Sequence, residues 1–235
     1  MRCGSSNRTG SGRKGEQNMK CNKEDLLLYA VTDRSWLDGD ILYHQVEQAL
    51  EGGVTFVQLR EKELEEEQFF REAKELRELC RRYRVPFVVN DHVEIAVRAD
   101  ADGIHVGQSD MEAGDVRKRL GPDKIIGVSV ENVEQALLAQ KRGADYLGVG
   151  AVFHTDSKAD ASAVSLETLR AVCEAVEIPV IAIGGIGEEN VMELAGSGIC
   201  GVAVISAIFA QPDLKTAAMK LRTRTEKMIH QTSEN

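Results

Sequence analysis

The feature that most constrains the fold of this 235-residue chain is an eightfold alternation of two sequence patterns. Short runs of apolar and β-branched residues, typical of buried parallel strands, alternate with longer segments whose apolar residues recur at helical spacing. The predicted strands cover residues 27–31, 55–59, 87–90, 103–106, 124–128, 146–149, 180–183 and 202–205. The predicted helices cover approximately residues 41–51, 65–83, 93–99, 111–120, 133–142, 166–176, 189–196 and 214–229.

Eight strand–helix units in succession predict a parallel sheet with helices packed outside it, and eight is also the number of strands that closes into a barrel. A doubly wound open sheet is the alternative, but it would not account for eight unbroken units without a second domain. We therefore predict an α/β fold with a single (β/α)8 TIM barrel over residues 23–235. Residues 1–22, rich in Gly, Ser, Asn, Arg and Lys, are predicted to be a disordered leader or extension.

Composition excludes several classes of function. The chain has 38 acidic and 29 basic residues, for a net charge of -9, which argues against nucleic acid as a partner. No apolar run approaches the roughly 18 residues that a membrane span needs. Five cysteines without paired spacing indicate reduced thiols in a cytoplasmic protein. We expect small-molecule substrates, no nucleic acid and no membrane; the oligomeric state stays open, a homo-oligomer included.

Polar residues gather after nearly every predicted strand, at the carboxyl ends where barrels of this class carry their chemistry. A barrel with a purely structural role would not need them there. In strand order, from the second to the eighth, they are Gln58, Arg60 and Lys62; Asn90 and Asp91; Gly107, Gln108 and Asp110; Ser129; residues 150–158; Gly184 and Gly185; and Ile205 and Ser206.

The residue types at these strand ends suggest two anion sites. Arg60, Lys62 and Lys158 supply three cations suited to a diphosphate. Asp91 and Asp110 are carboxylates on adjacent strand ends without His or Cys beside them, a donor set that favours Mg²⁺. The glycine pair after strand 7 and the turn after strand 8 lie where barrels often bind a phosphate through backbone N–H groups.

Each of these signals also has a purely structural interpretation. The Arg60-Glu61-Lys62 run could form a solvated cluster of ion pairs, and Asp91 could cap the following helix. Glycines at 184 and 185 could serve a tight turn.

Four further residues lie near the strand ends, and we predict a role for each. Asp33 and Arg34 are expected to pair with each other rather than to act as a catalytic dyad. His105 is expected to be packed or hydrogen-bonded, and His154 is the histidine with the better claim to a functional role.

Taken together, six segments resemble the thiamine-phosphate synthase family, from about Leu27 to Ile208 and in the family's order. These segments are VQLREK (57–62), VNDHVEIAVRADADGIHVGQSDM (89–111), IGVSV (126–130), YLGVGAVFHTDSK (146–158), IPVIAIGGI (178–186) and GVAVISAI (201–208). The loop after strand 6 departs from the pattern, since the family more often has proline at position 154 and threonine at position 157.

The resemblance implies that 4-amino-2-methyl-5-hydroxymethylpyrimidine diphosphate is joined to 4-methyl-5-(2-phosphoethyl)thiazole by a dissociative mechanism that Mg²⁺ assists. It implies the following pyrimidine diphosphate ligands: Gln58, Leu59, Arg60, Glu61, Lys62, Asn90, Ser129 and Lys158. Among these, it implies catalytic roles for Arg60, Lys62, Ser129 and Lys158. It implies Asp91 and Asp110 as ligands of Mg²⁺, and Thr155, Asp156, Ser157, Gly185, Ile205 and Ser206 as ligands of the thiazole phosphate.

Three other functions compete with this interpretation. A thiazole tautomerase would share the phosphate site but need no diphosphate or metal site, and a non-catalytic thiamine phosphate sensor would release no diphosphate. A sugar-phosphate epimerase would need an opposed acid and base, which the sequence does not show.

Overall fold

A computed structural model of the chain describes residues 21–107, 113–154 and 163–231. Eight parallel strands follow one another around a closed barrel, and the last strand pairs with the first, which confirms the predicted TIM barrel. The strands are β1 (Leu28–Val31), β2 (Phe56–Leu59), β3 (Phe87–Asn90), β4 (Gly103–Val106), β5 (Ile125–Val130), β6 (Tyr146–Val149), β7 (Val180–Ile183) and β8 (Gly201–Val204).

Helices cover the outside of the sheet in the described part of the chain. They are α1 (Leu42–Glu51), α2 (Glu66–Tyr83), α3 (Val93–Arg98), α4 (Ala113–Leu120), α5 (Val133–Lys141), α6 (Leu166–Ala175), α7 (Ser206–Phe209) and α8 (Leu214–Gln231). Short 3₁₀ segments occupy Glu24–Leu26, Arg34–Trp36 and Val191–Leu194. No helix of the described residues is both long enough and apolar enough to cross a membrane.

The helix predicted over residues 189–196 is wrong, since only a 3₁₀ turn forms there, at Val191–Leu194. The Asn190 side chain holds the approach to this turn, because it accepts from the Gly187 N–H and donates to the Gly185 carbonyl. The last residue of the predicted helix is a glycine with φ +74°, which ends the helical path at once. The short helix α7 was not predicted.

Alternate residues of each strand face the barrel interior, and the residues between them face the helices. The interior cluster includes Tyr29, Phe56, Val88, Tyr146 and Ile181, all buried. The residue after each of these packs in the outer core beneath the helices. Because the side-chain period of a strand is two, the inward positions at the carboxyl ends fall on residues such as Gln58, Asn90 and Ser129.

The lower end of the barrel involves a residue of the predicted leader. Cys21 is 1% exposed and packs in the interior cluster beside Leu26 and Cys200. The folded part therefore begins at least as early as residue 21, before the predicted limit at residue 23. Residues 1–20 lie outside the described part of the chain.

Candidate active site

The end of β2 brings two polar side chains into the barrel mouth. Gln58 is 4% exposed and Arg60 is 9% exposed, so both are held inside the barrel rather than in solvent. The backbone N–H of Arg60 donates to the Thr32 hydroxyl over 3.0 Å, and its guanidinium lies 3.5 Å from the Asp33 carboxylate. Lys62 is exposed. A cation that is buried and fixed in this way is suited to an anionic ligand at the mouth.

Two predicted ligands on the same segment point elsewhere. The Leu59 side chain is fully buried in the outer core, so only its backbone can face a ligand. The Glu61 carboxylate accepts from Arg34 Nε over 2.9 Å, and the same guanidinium donates to Glu72 of α2 over 2.5 Å. Burial raises the pKa of Glu61 to about 7; the nearby Glu72 carboxylate adds to the rise, and Arg34 opposes it.

The predicted ion pair between Asp33 and Arg34 is wrong. Asp33 faces Arg60 and caps the 3₁₀ turn by accepting from the Ser35 N–H, whereas Arg34 binds Glu61 and Glu72. Both residues of the loop after β1 therefore brace the segment after β2. This support lies across strands and could not be read from adjacent positions in the sequence.

The end of β3 presents an amide and a carboxylate side by side. Asn90 Nδ2 donates to Asp91 Oδ2 over 2.6 Å, and the Asp91 N–H donates to the carbonyl of His105 over 2.9 Å. Asp91 has φ +59°, a left-handed conformation that is strained for a residue with a Cβ. His92, and not Asp91, caps α3 by accepting from the Ile95 N–H. The capping interpretation of Asp91 is therefore wrong.

The exposed Asp91 carboxylate offers hard oxygen ligands at the mouth, as Mg²⁺ prefers. Its predicted partner Asp110 lies outside the described residues. Within residues 21–107, 113–154 and 163–231, no group of three potential metal ligands comes together. The magnesium site therefore stays a prediction.

The end of β5 connects to the barrel interior through a histidine. Ser129 Oγ lies 2.9 Å from His105 Nε2, and His105 Nδ1 lies 2.9 Å from the hydroxyl of Tyr146. His105 is 7% exposed, which confirms that it is packed and hydrogen-bonded. Gly127 makes room for this pair, because a Cβ there would lie 2.1 Å from the Tyr146 ring and 2.5 Å from His105 Nδ1.

The same interior hydrogen bonds continue to β2. The Tyr146 hydroxyl lies 2.8 Å from that of Tyr29, which accepts from Gln58 Nε2 over 2.6 Å. Sequence reasoning missed both tyrosines. The period of two along β1 and β6 could have placed them inside the barrel, but not opposite each other.

Glycines after β7 fit two loops together. Gly184 and Gly185 have φ of +100° and +64°, and a Cβ on Gly185 would lie 2.3 Å from the carbonyl oxygen of His154. The N–H of Phe153 donates to the Gly184 carbonyl over 3.1 Å. The glycine pair thus holds the start of the loop after β6 against the end of β7, a close approach that a Cβ on Gly185 would prevent.

A cavity of about 650 Å³ opens beside this junction. Gly185, Ser206 and His154 line it together, so the residues after β6, β7 and β8 meet at one surface. Ile205 directly precedes α7, and Ser206 is its first residue. Four predicted ligands of the loop after β6 lie outside the described residues: Thr155, Asp156, Ser157 and Lys158.

Comparisons with known proteins agree with this geometry. A family model described as thiamine monophosphate synthase matches residues 28–208. A thiamine-phosphate synthase of Ruminiclostridium cellulolyticum is 50% identical over 200 residues, covering 85% of this chain and 95% of that protein. One from Clostridium tetani is 49% identical over 197 residues, covering 84% and 94%. A solved thiamine phosphate pyrophosphorylase from Pyrococcus furiosus matches with a TM-score of 0.82 and 41% identity, covering 88% of this chain and 98% of that one.

Proposed function

This chain belongs to the thiamine monophosphate synthase family and is a transferase of thiamine biosynthesis, and we propose that it joins 4-amino-2-methyl-5-hydroxymethylpyrimidine diphosphate to 4-methyl-5-(2-phosphoethyl)thiazole, releasing diphosphate. One observation carries this assignment. Polar side chains from β2, β3 and β5 face the mouth of the barrel, while a separate cavity is lined in part by residues that follow β6, β7 and β8. Two substrates with anionic groups would fill these two regions.

The pyrimidine diphosphate is proposed to bind at the first region. Arg60 is a buried cation whose guanidinium lies 3.5 Å from the Asp33 carboxylate, and its remaining N–H groups are proposed to bind a phosphate. Lys62 adds an exposed cation next to it, with Lys158 as a third. Asn90 and Ser129 supply neutral hydrogen-bonding groups from the neighbouring side of the mouth.

The metal is proposed to be Mg²⁺, held by Asp91 and Asp110. When bound, it would neutralise charge on the diphosphate oxygens. The hydrogen bond from Asn90 holds one Asp91 oxygen in place, and the left-handed backbone turns this carboxylate toward solvent at the mouth.

The thiazole phosphate is proposed to bind in the cavity. Gly185 and Ser206 line it, and Ile205, Thr155, Asp156 and Ser157 are assigned with them from the family pattern. Anchoring the phosphate here would leave the thiazole ring free to extend toward the first region, which brings its nitrogen near the reacting carbon.

The proposed reaction needs positioning and charge neutralisation rather than a base. The bond between the methylene carbon and the diphosphate oxygen breaks, and its electron pair leaves with the diphosphate. Arg60, Lys62 and Lys158 stabilise the charge that develops on the departing oxygens, and Ser129 donates to them. The aminopyrimidine ring delocalises the methylene cation until the thiazole nitrogen supplies the electron pair for the new bond.

A direct assay tests the function. The purified chain is incubated with both substrates, with each one alone, and with both in the presence of a chelator, and thiamine phosphate and diphosphate are quantified. We expect both products in equal amounts only when both substrates and Mg²⁺ are present. A thiazole tautomerase or a sensor would form neither product, and that result would refute the proposal.

A cytoplasmic location is proposed as well, because Cys21, Cys80, Cys173 and Cys200 are free thiols.

A further inference from the structure

A line of hydrogen-bonded side chains crosses the barrel interior between two of the proposed substrate ligands. It runs from Gln58 on β2 through Tyr29, Tyr146 and His105 to Ser129 on β5, with donor–acceptor distances of 2.6, 2.8, 2.9 and 2.9 Å. Five different strands contribute one residue each. Both tyrosines are fully buried, so water does not compete for their hydroxyl groups.

The direction of these hydrogen bonds follows from counting donors. The Gln58 amide N–H donates to the Tyr29 hydroxyl, so the Tyr29 proton must go to its other partner, the oxygen of Tyr146. Tyr146 in turn donates to His105 Nδ1, and a neutral His105 then carries its proton on Nε2 and donates to Ser129 Oγ. If the hydrogen bonds between Tyr29 and Ser129 ran the opposite way, the Tyr29 hydroxyl would accept from both Gln58 and Tyr146. Its own proton would then face the apolar interior.

Both tyrosines in this line remain neutral, which preserves the direction of their hydrogen bonds. Burial raises the pKa of Tyr29 and of Tyr146 well above the ordinary value for tyrosine. Both ring nitrogens of His105 are engaged in this arrangement, since Nδ1 accepts from Tyr146 and Nε2 donates to Ser129. The line therefore orients groups and does not act as a general base.

We propose that Tyr29, Tyr146 and His105 are positioning residues that fix the Ser129 hydroxyl as a donor toward the diphosphate. The same hydrogen bonds hold the Gln58 side chain in a fixed orientation. Because Ser129 accepts from His105, its own proton goes to a second partner, which we propose to be the diphosphate in the substrate complex. This inference rests on the proposed function, since it assigns Ser129 to the leaving diphosphate.

A packing role alone does not explain these residues. The barrel keeps glycine at positions 127 and 148, and a Cβ at either would come within 3.3 Å of the His105 ring. The two glycines therefore leave room for the His105 ring. Aliphatic side chains could fill the same interior and would need no hydrogen-bond partners. A histidine and two tyrosines are stable there only as long as every polar atom is bonded.

The test is a kinetic double-mutant cycle between Tyr146→Phe and Ser129→Ala, with both substrates and Mg²⁺. Tyr146→Phe removes the middle of the line without changing the shape of the ring. We expect kcat to fall about 10–100-fold with KM for the pyrimidine diphosphate nearly unchanged, because orientation matters most in the transition state. In the Ser129→Ala background, Tyr146→Phe should have no further effect on kcat. Multiplied effects would overturn the proposal.

Control variants and a measurement of the His105 tautomer distinguish a positioning role from a general loss of folding or activity. Tyr29→Phe, one bond further from Ser129, should give a smaller fall in kcat, and Tyr43→Phe on the outer helix α1 should leave kcat unchanged. Nitrogen NMR of ¹⁵N-histidine-labelled protein, with His105 assigned by a His105→Gln spectrum, should show the Nε2–H tautomer. An Nδ1–H tautomer would overturn the positioning proposal. Failure to make thiamine phosphate would refute the proposed function but would not by itself decide the His105 tautomer.

Discussion

At the scale of single residues, two groups near the mouth of the barrel adopt states that are unfavourable in isolation and depend on their partners. Asp91 adopts a left-handed backbone, and Glu61 shares a buried site with a second carboxylate. Arg34 offsets the second of these costs by bonding to both Glu61 and Glu72. The sequence predicts Asp91 and Glu61 as ligands, but not the way each side chain is held. Their partners lie on other strands and helices, which a linear pattern does not reveal.

Asp91→Asn separates the backbone role of this residue from its charge. Asparagine tolerates the left-handed region and keeps an oxygen acceptor for Asn90, so we expect the melting temperature to stay within about 2 °C of the parent. Activity should fall at least about 100-fold, and added Mg²⁺ should restore little of it. Asp91→Ala should lose activity as well and also lose about 1 kcal/mol of stability, because alanine is strained at φ +59°. Wild-type Mg²⁺ dependence in Asp91→Asn would contradict the metal assignment.

Glu61→Gln tests the raised pKa through protein stability. Unfolded Glu titrates near pH 4.3, whereas Glu61 in the fold titrates at about 7. Between these values the folded chain binds more protons than the unfolded chain, so this group's contribution to the free energy of unfolding falls as pH rises. Glutamine does not titrate. The melting temperature of Glu61→Gln minus that of the parent should therefore increase from pH 5 to pH 8, by about 2–4 °C for each kcal/mol involved. A difference independent of pH would refute the raised pKa.

At the scale of secondary-structure elements, apolar runs identified every strand to within two residues, because a strand buried on both faces must be apolar along its length. The helix predicted after β7 failed for a local reason. Asn190 and the flanking glycines form a tight turn whose hydrogen bonds compete with helix formation. Part of that irregular stretch, residues 185–189, lines the 650 Å³ cavity together with residues of α8.

Ser206→Asp tests whether this cavity takes one of the two substrates. A carboxylate at the first position of α7 would face the proposed thiazole phosphate and repel it, while the pyrimidine diphosphate region lies on other strands. We expect affinity for the thiazole phosphate to fall at least about 10-fold and affinity for the pyrimidine diphosphate to change less than about 2-fold. Separate calorimetric titrations with each substrate measure this, and Ser206→Ala serves as the uncharged control. Equal losses for both substrates would contradict two distinct anion sites.

At the scale of the whole molecule, the closed barrel couples strands that are far apart in sequence through a single interior. The period of two predicts which residues face that interior, but not which of them meet across it, because opposite contacts depend on the tilt and stagger of the strands. Tyr29 and Tyr146 are 117 residues apart and still share a 2.8 Å hydrogen bond. This is why the line from Gln58 to Ser129 could be found only in three dimensions.

Gly127→Ala should disturb the barrel as a whole, because its Cβ would lie 2.1 Å from the Tyr146 ring at the centre of the closed interior. Neither β5 nor β6 can shift without disturbing its other neighbour, so the overlap cannot be relieved locally. We expect a loss of about 1–3 kcal/mol in the free energy of unfolding. Gly114→Ala is the matched control, since among the described residues its Cβ would meet only the Arg142 carbonyl, at 3.9 Å, and alanine favours the helix α4. That control should gain about 0.5–1 kcal/mol. Chemical denaturation of both variants decides the matter, and equal stability of Gly127→Ala and the parent would mean that the interior is looser than this geometry implies.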